Sequence, residues 1–157
     1  MVNSAMAFLL ISVAIFNGVA FLMPKRLRRT DMFVVALFGL TFQNFVDMFV
    51  NVKYDLYGFF QKGVDWPSLI PMLGLFPSAI LIFFNYYPWN HRIRSVLYVG
   101  MATAFLVGFE YLSLLTDYFY YNGWKLWWSV IEYPLLLYIN IAFYKIYRTL
   151  TRPDDAR

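Results

Sequence analysis

A chain of 157 residues with 61% hydrophobic, 22% aromatic and only 14% charged side chains falls well short of the about 25% charge of a soluble domain, which excludes water as its only solvent. The net charge of +4 is split among short segments between apolar runs, which argues against a nucleic-acid-binding surface. Cysteine is absent, so disulfides, a thiolate nucleophile and zinc–thiolate sites are excluded.

Five apolar runs follow one another, at about 4–23, 31–52, 68–88, 95–116 and 126–147. Each is about 20 residues long, enough to cross a hydrocarbon core of about 30 Å at about 1.5 Å per residue. None shows the polar outer stripe of a soluble helix. The predicted fold is all-α, an integral membrane bundle of five transmembrane helices. It forms a single domain over residues 1–150 with a short cytoplasmic tail at 151–157.

The first run opens on "MVNS" without a basic residue and ends on "PKRLRR" rather than a small-residue cleavage site, so it reads as a retained helix and not a signal peptide. The second carries Asn44, Asp47 and Asn51 at helical spacing, with Leu40 on the same face. The segment after it, "KYDLYGFFQKGVDWP", is too aromatic for a polar linker. Tyr54, Leu56, Tyr57, Phe59 and Phe60 predict interfacial anchoring, with a lid over the bundle as the alternative.

In the third run Pro71 lies near the start, where proline is tolerated, whereas Pro77 predicts a kink and Gly74 adds freedom beside it. A broken helix offering backbone carbonyls to a ligand is the alternative. His91, beside Trp89 in the next loop, reads as a solvated residue. The fourth run has two stripes. Gly100, Ala104 and Gly108 recur every fourth residue, a spacing that lets another helix approach closely. Thr103, Glu110 and Asp117 recur every seventh, and Glu110 lies about 200° from Gly108, which predicts a central helix if both faces are used. In the fifth run Trp128 and Ser129 lie near Glu132, with Lys125 two turns before it. Asn140 there and Asn17 in the first run predict a hydrogen bond that sets the two spans side by side.

The basic residues sort by loop. "PKRLRR", "NHRIR" and the C-terminal Lys145, Arg148, Arg152 and Arg157 fall on one side, and only Lys53, Lys62 and Lys125 on the other. The positive-inside rule then predicts the N-terminus outside and the C-terminus in the cytoplasm. The basic clusters read as topology signals and anionic-lipid contacts. Aromatic collars agree with this: Trp66, Tyr118, Tyr120, Tyr121, Trp124, Trp127 and Trp128 outside, and Tyr86, Tyr87, Trp89, Tyr144 and Tyr147 inside.

In that topology Asp47, Glu110 and Glu132 each lie about five or six residues from the outer end of a different span, roughly 9 Å deep. Two or three acids close together cannot all stay ionised cheaply. The pattern predicts an outward-facing acidic pocket whose ligand-binding walls are Asp47, Asn44, Asn51, Glu110, Asp117 and Glu132, with Tyr111 and Ser113 nearby. A structural cluster neutralised by Lys53 and Lys125 is the alternative. No metal site or cofactor is expected. No phosphate loop, nucleotide fingerprint or zinc-protease motif occurs, and Ser113 lacks a histidine base.

The five-span layout together with "FEYLSLLTDYFYYNGWKLWWS" resembles a group of small, uncharacterised multi-pass membrane proteins of Bacillus-type spore-forming Firmicutes. The resemblance covers most of the chain. It implies location in a bacterial cytoplasmic (cell) membrane and brings no activity and no functional residues.

The expected function is binding or transport of a small cation, an amine ligand or a proton. The alternatives are an intramembrane enzyme using a carboxylic acid on a lipid or isoprenoid substrate, and a structural or assembly subunit joined through the Gly100/Ala104/Gly108 stripe. The expected partners are the lipid bilayer, a small cationic ligand and a helix-mediated oligomer or partner subunit, with no nucleic acid.

Overall fold

The computed structural model describes residues 2–60 and 66–151. Lys62 and the tail from Arg152 onward, Arg157 included, lie outside the described residues. Among the described residues five helices are long and apolar enough to cross a membrane. They are α1 (Val2–Leu22), α2 (Arg29–Asp47, continued by the π-helical turn Met48–Lys53), α3 (Phe76–Tyr86, preceded by the π-helical turn Pro71–Leu75), α4 (Arg92–Leu115) and α5 (Leu126–Thr151). Where no water can satisfy the backbone, a helix is the one conformation in which a single apolar segment satisfies its own amides. The breaks fall at "PKRLRR" and at the Pro- and Gly-containing loops. Lys25 turns back to donate to the last carbonyls of α1, at Ala20 and, 3.0 Å away, at Phe21.

The helices form a ring. α1 packs on α3, α3 on α2, α2 on α5 and α5 on α4. α4 closes on α1 through rings: Phe8 against Phe109 at 5.6 Å, and Phe16 against Phe109 at 5.8 Å and Phe105 at 6.0 Å. Large side chains at this seam leave space inside the ring.

Asn17 and Asn140 do not pair, and α1 is not set beside α5 by them. Asn17 donates to the Gly74 carbonyl at 2.6 Å, and Asn140 donates to its own helix at Leu136, 2.9 Å away. The reason lies in the third span. The backbone widens into a π turn before Pro77, and the Gly74 carbonyl in that turn takes Asn17 and the Ser78 hydroxyl (3.1 Å). The Gly74 carbonyl is thus satisfied within the protein. Gly74 also permits the close approach of α1, since a Cβ there would lie 3.0 Å from Val13.

The loops α2–α3 and α4–α5 fold together over one end of the ring. Tyr57–Phe59 (β1) and Phe119–Tyr121 (β2) pair antiparallel, Tyr57 opposite Tyr121 and Phe59 opposite Phe119. Asp55, Phe60 and Asp117 take left-handed φ of 51°, 51° and 56° where the chain turns into and out of this hairpin-like cap. Tyr57 and Phe59 are therefore buried in a core with Leu9, Tyr118 and Phe119 rather than anchored in the interface. A second core at the opposite, basic end joins Phe83, Phe84, Tyr87, Val99 and Tyr144. The expected collars are thus partly core: Tyr118 and Tyr144 are each 2% exposed, while Trp66 and Trp127 remain exposed as belt residues would.

α4 is not central. The face carrying Gly100 and Gly108 is open, with nothing within 4 Å of a Cβ built at either glycine. Thr103 and Glu110 face inward and are buried.

Candidate functional site

The ring encloses an elongated cavity of about 500 Å³. Asp47 from α2, Glu110 from α4 and Glu132 from α5 line its hairpin end, as the shared depth of the three acids predicts. From Glu110 to Tyr98, which also lines it, is about 18 Å along α4 at about 1.5 Å per residue. Between these ends the wall is apolar, built by Phe16, Phe76, Phe83, Phe105 and Leu137. The acids face one space without meeting at a point, and among the described residues no group of three or more His, Asp or Glu could hold a metal ion.

The three carboxylates differ in what holds them. Glu110 is well supplied: one oxygen accepts from Tyr121 (2.5 Å) and Ser129 (2.8 Å), and the other from Tyr133 (2.7 Å). Ser129 in turn accepts from the Trp124 indole at 2.9 Å. Asp47 uses one oxygen, which accepts from Tyr57 (2.5 Å) and Gln43 (3.2 Å); its other oxygen is buried and accepts nothing among the described residues. Glu132 accepts no hydrogen bond among the described residues and feels the charges of Asp47 and Glu110 across the cavity. At the far end the buried Oδ1 of Asn140 is likewise unpartnered.

Two of the donors that serve these acids, Tyr57 and Tyr121, come from the cap, and Gln43, Ser129 and Tyr133 come from the helices. Burial above all, with the Asp47 carboxylate next, raises the Tyr57 phenol well above its ordinary value. Burial, then the hydrogen bond and charge of Glu110, raises Tyr121 as well. Both stay protonated and remain donors. The lysines take no part: Lys125 is exposed, and Lys53 lies over the rings of Phe49 and Tyr54, 5.4 and 5.1 Å from their centroids.

Asn44, Asn51 and Asp117 do not line the cavity. Asn44 turns back to the Leu40 carbonyl at 2.8 Å. Asn51 sits in the π turn, whose wider i→i+5 winding carries it off the face that Asp47 occupies. Asp117 lies beyond the end of α4 in the left-handed residue that starts the cap, and it is exposed. Ser113 lines the cavity and Tyr111 faces outward. Sequence reasoning missed Gln43, one helical turn before Asp47, and the tyrosines at 57, 121 and 133. The (i, i+4) relation of Gln43 to Asp47 and of Ser129 to Tyr133 was the available signal.

No family model, curated protein or solved structure matches the chain. The functional reading therefore rests on the cavity's own chemistry. That chemistry is one-sided: the spare polar atoms of Asp47, Glu132 and Asn140 are all acceptors, carried by residues that line a space walled mostly by apolar side chains.

Proposed function

We propose that the protein binds an amphiphile in this cavity, an amine-bearing molecule whose apolar body fills the space between the helices and whose head group meets Glu132 and Asp47. The observation that carries the reading is the surplus of unpaired acceptors in a cavity lined mainly by apolar side chains. A buried acceptor without a donor costs about 1–3 kcal/mol, and an ammonium group supplies up to three donors and the opposite charge. The volume falls within the usual range for small-molecule sites, about 300–1,000 Å³.

Thermal unfolding of the detergent-purified chain with n-octylamine, n-octanol or n-octanoate tests this, since a ligand of the folded state raises the melting temperature. Octylamine is expected to stabilise the wild type more than either neighbour, and Glu132→Gln to abolish the difference. Equal shifts with octylamine and octanol, or an unchanged response in Glu132→Gln, would falsify the proposal.

The same cavity supports acid catalysis on a lipid-like substrate as a second reading. Glu132 is the proton donor there, because both Glu110 oxygens already accept from hydroxyls. The resemblance supports a bacterial cytoplasmic membrane, and the asymmetry of basic residues supports the cap outside. The chain has no cysteine of its own, so an Asn122→Cys variant in intact cells is a clean reporter. Labelling by a membrane-impermeant maleimide is expected, and protection until lysis would reverse the topology.

A further inference from the structure

The basic end holds a second cavity, of about 400 Å³, which shares no lining residue with the first. Three chain segments build it: Arg26 and Arg28 come from the α1–α2 linker, Trp89 and Asn90 from the α3–α4 turn, and Arg148 from α5. Asp31 also lines it; it is 2% exposed and accepts from the Tyr144 hydroxyl at 3.0 Å. Among the described residues, three guanidiniums against one carboxylate leave an excess of two positive charges around the space.

The arrangement is fixed in advance. Asn85, 3% exposed, accepts from the Arg26 backbone N–H at 2.8 Å and donates to the Pro24 carbonyl at 3.0 Å, which pins the arginine-bearing linker to α3. The Arg26 guanidinium stacks over Tyr86, 5.0 Å from the ring centroid. Trp89 is held against Tyr87 and Tyr144, with ring centroids 4.5 and 4.9 Å apart. Among the described residues Arg28 and Arg148 have neither a side-chain hydrogen bond nor an ion pair. Their donors are left for something else.

The geometry points to a binding site for a phosphate group in this cavity, gripped by Arg28 and Arg148 with Arg26 adding charge. Guanidinium forks match phosphate oxygens two at a time, and an ammonium does not. The cavity lies at the helix ends, the level of a lipid head group, where basic pockets between membrane helices take anionic lipids. The phosphate belongs either to such a lipid or to a free ion.

Native mass spectrometry of the detergent-purified full chain separates the two sources from each other and from general charge. The chain is offered dimyristoyl phosphatidylglycerol or the phosphatidylcholine of the same tails, and a parallel melting experiment uses inorganic phosphate without lipid. Wild type is expected to retain the glycerol lipid at least tenfold over the choline lipid, or to be stabilised by phosphate, or both. Retention without a phosphate shift identifies the lipid, and a phosphate shift without retention identifies the free ion. Arg28→Gln/Arg148→Gln is expected to lose whichever response the wild type shows. Arg92→Gln/Arg94→Gln, with the same charge change at the same end but outside the cavity, is expected to keep it. If neither response exists, if the first pair keeps it, or if both pairs lose it equally, the site is overturned. Should the glutamine pair not fold, Arg28→Lys/Arg148→Lys keeps the charge without the fork. A loss of threefold or more is then expected, and an unchanged response overturns the site.

Discussion

At the cap end Glu110 is 5% exposed and accepts from Tyr121, Ser129 and Tyr133; at the basic end Asp31 is 2% exposed and accepts from Tyr144. Each end ties a buried acid to tyrosine hydroxyls, and in both the tie spans separate segments of the chain. What differs is the polarity left over. In the cavity beside Glu110 the spare groups are acceptors, on Asp47 and Glu132 at the cap end and on Asn140 at the far end. Around Asp31 the spare groups are the donors of Arg28 and Arg148. A carboxylate already supplied with donors belongs to the scaffold, and the unpaired surplus beside it determines what the adjoining space will take.

That distinction breaks most directly at Glu110 and Glu132, two acids lining one cavity. Glu110→Ala strands three hydroxyl donors and is expected to cost about 3–5 kcal/mol, near the upper end of single-residue effects. Glu132→Ala strands nothing and is expected to stay within about 0.5 kcal/mol of wild type. Unfolding in mixed micelles measures both. Equal losses would dissolve the contrast between a scaffold acid and a ligand acid.

Deleting one phenol oxygen at each end sharpens the comparison. Tyr57→Phe leaves Asp47 with Gln43 as its one described hydrogen-bond donor, at 3.2 Å, and is expected to cost about 2 kcal/mol because a buried acceptor loses a charge-assisted bond. Tyr144→Phe removes a longer bond, of 3.0 Å, at an end rich in arginine, and about 1 kcal/mol is expected. The reverse order would mean that Asp31, not Asp47, is the acid more dependent on its tyrosine. Tyr57→Phe is also expected to weaken octylamine stabilisation, whereas Tyr144→Phe leaves it unchanged.

The spans and the shared depth of Asp47, Glu110 and Glu132 were legible because a helix in lipid has a fixed rise, so residue counts convert to depth. The cap was not. Its strands are three residues each, too short for alternation to stand out, and Tyr57 meets Tyr121 from a different loop. Read one loop at a time, those aromatics resemble an interfacial belt; only their pairing turns them inward as donors for the acids. Asn51 was misplaced because a π turn looks like an α-helix in sequence. The partner of Asn17 was invisible for a simpler reason: it is a backbone carbonyl, and every residue has one.

The smallest effect is expected on the outer face of α4. Gly100, Ala104 and Gly108 have the spacing of a helix-packing stripe, yet a Cβ at either glycine meets open space. Gly108→Ala should therefore gain up to about 1 kcal/mol from helix propensity alone. The particle mass by light scattering in detergent should not change. A fall in both mass and melting temperature would mean that another helix covers the stripe in the assembled protein. The open face of α4 would then be an interface, and α4 would hold a partner on one side while presenting Glu110 to the cavity on the other.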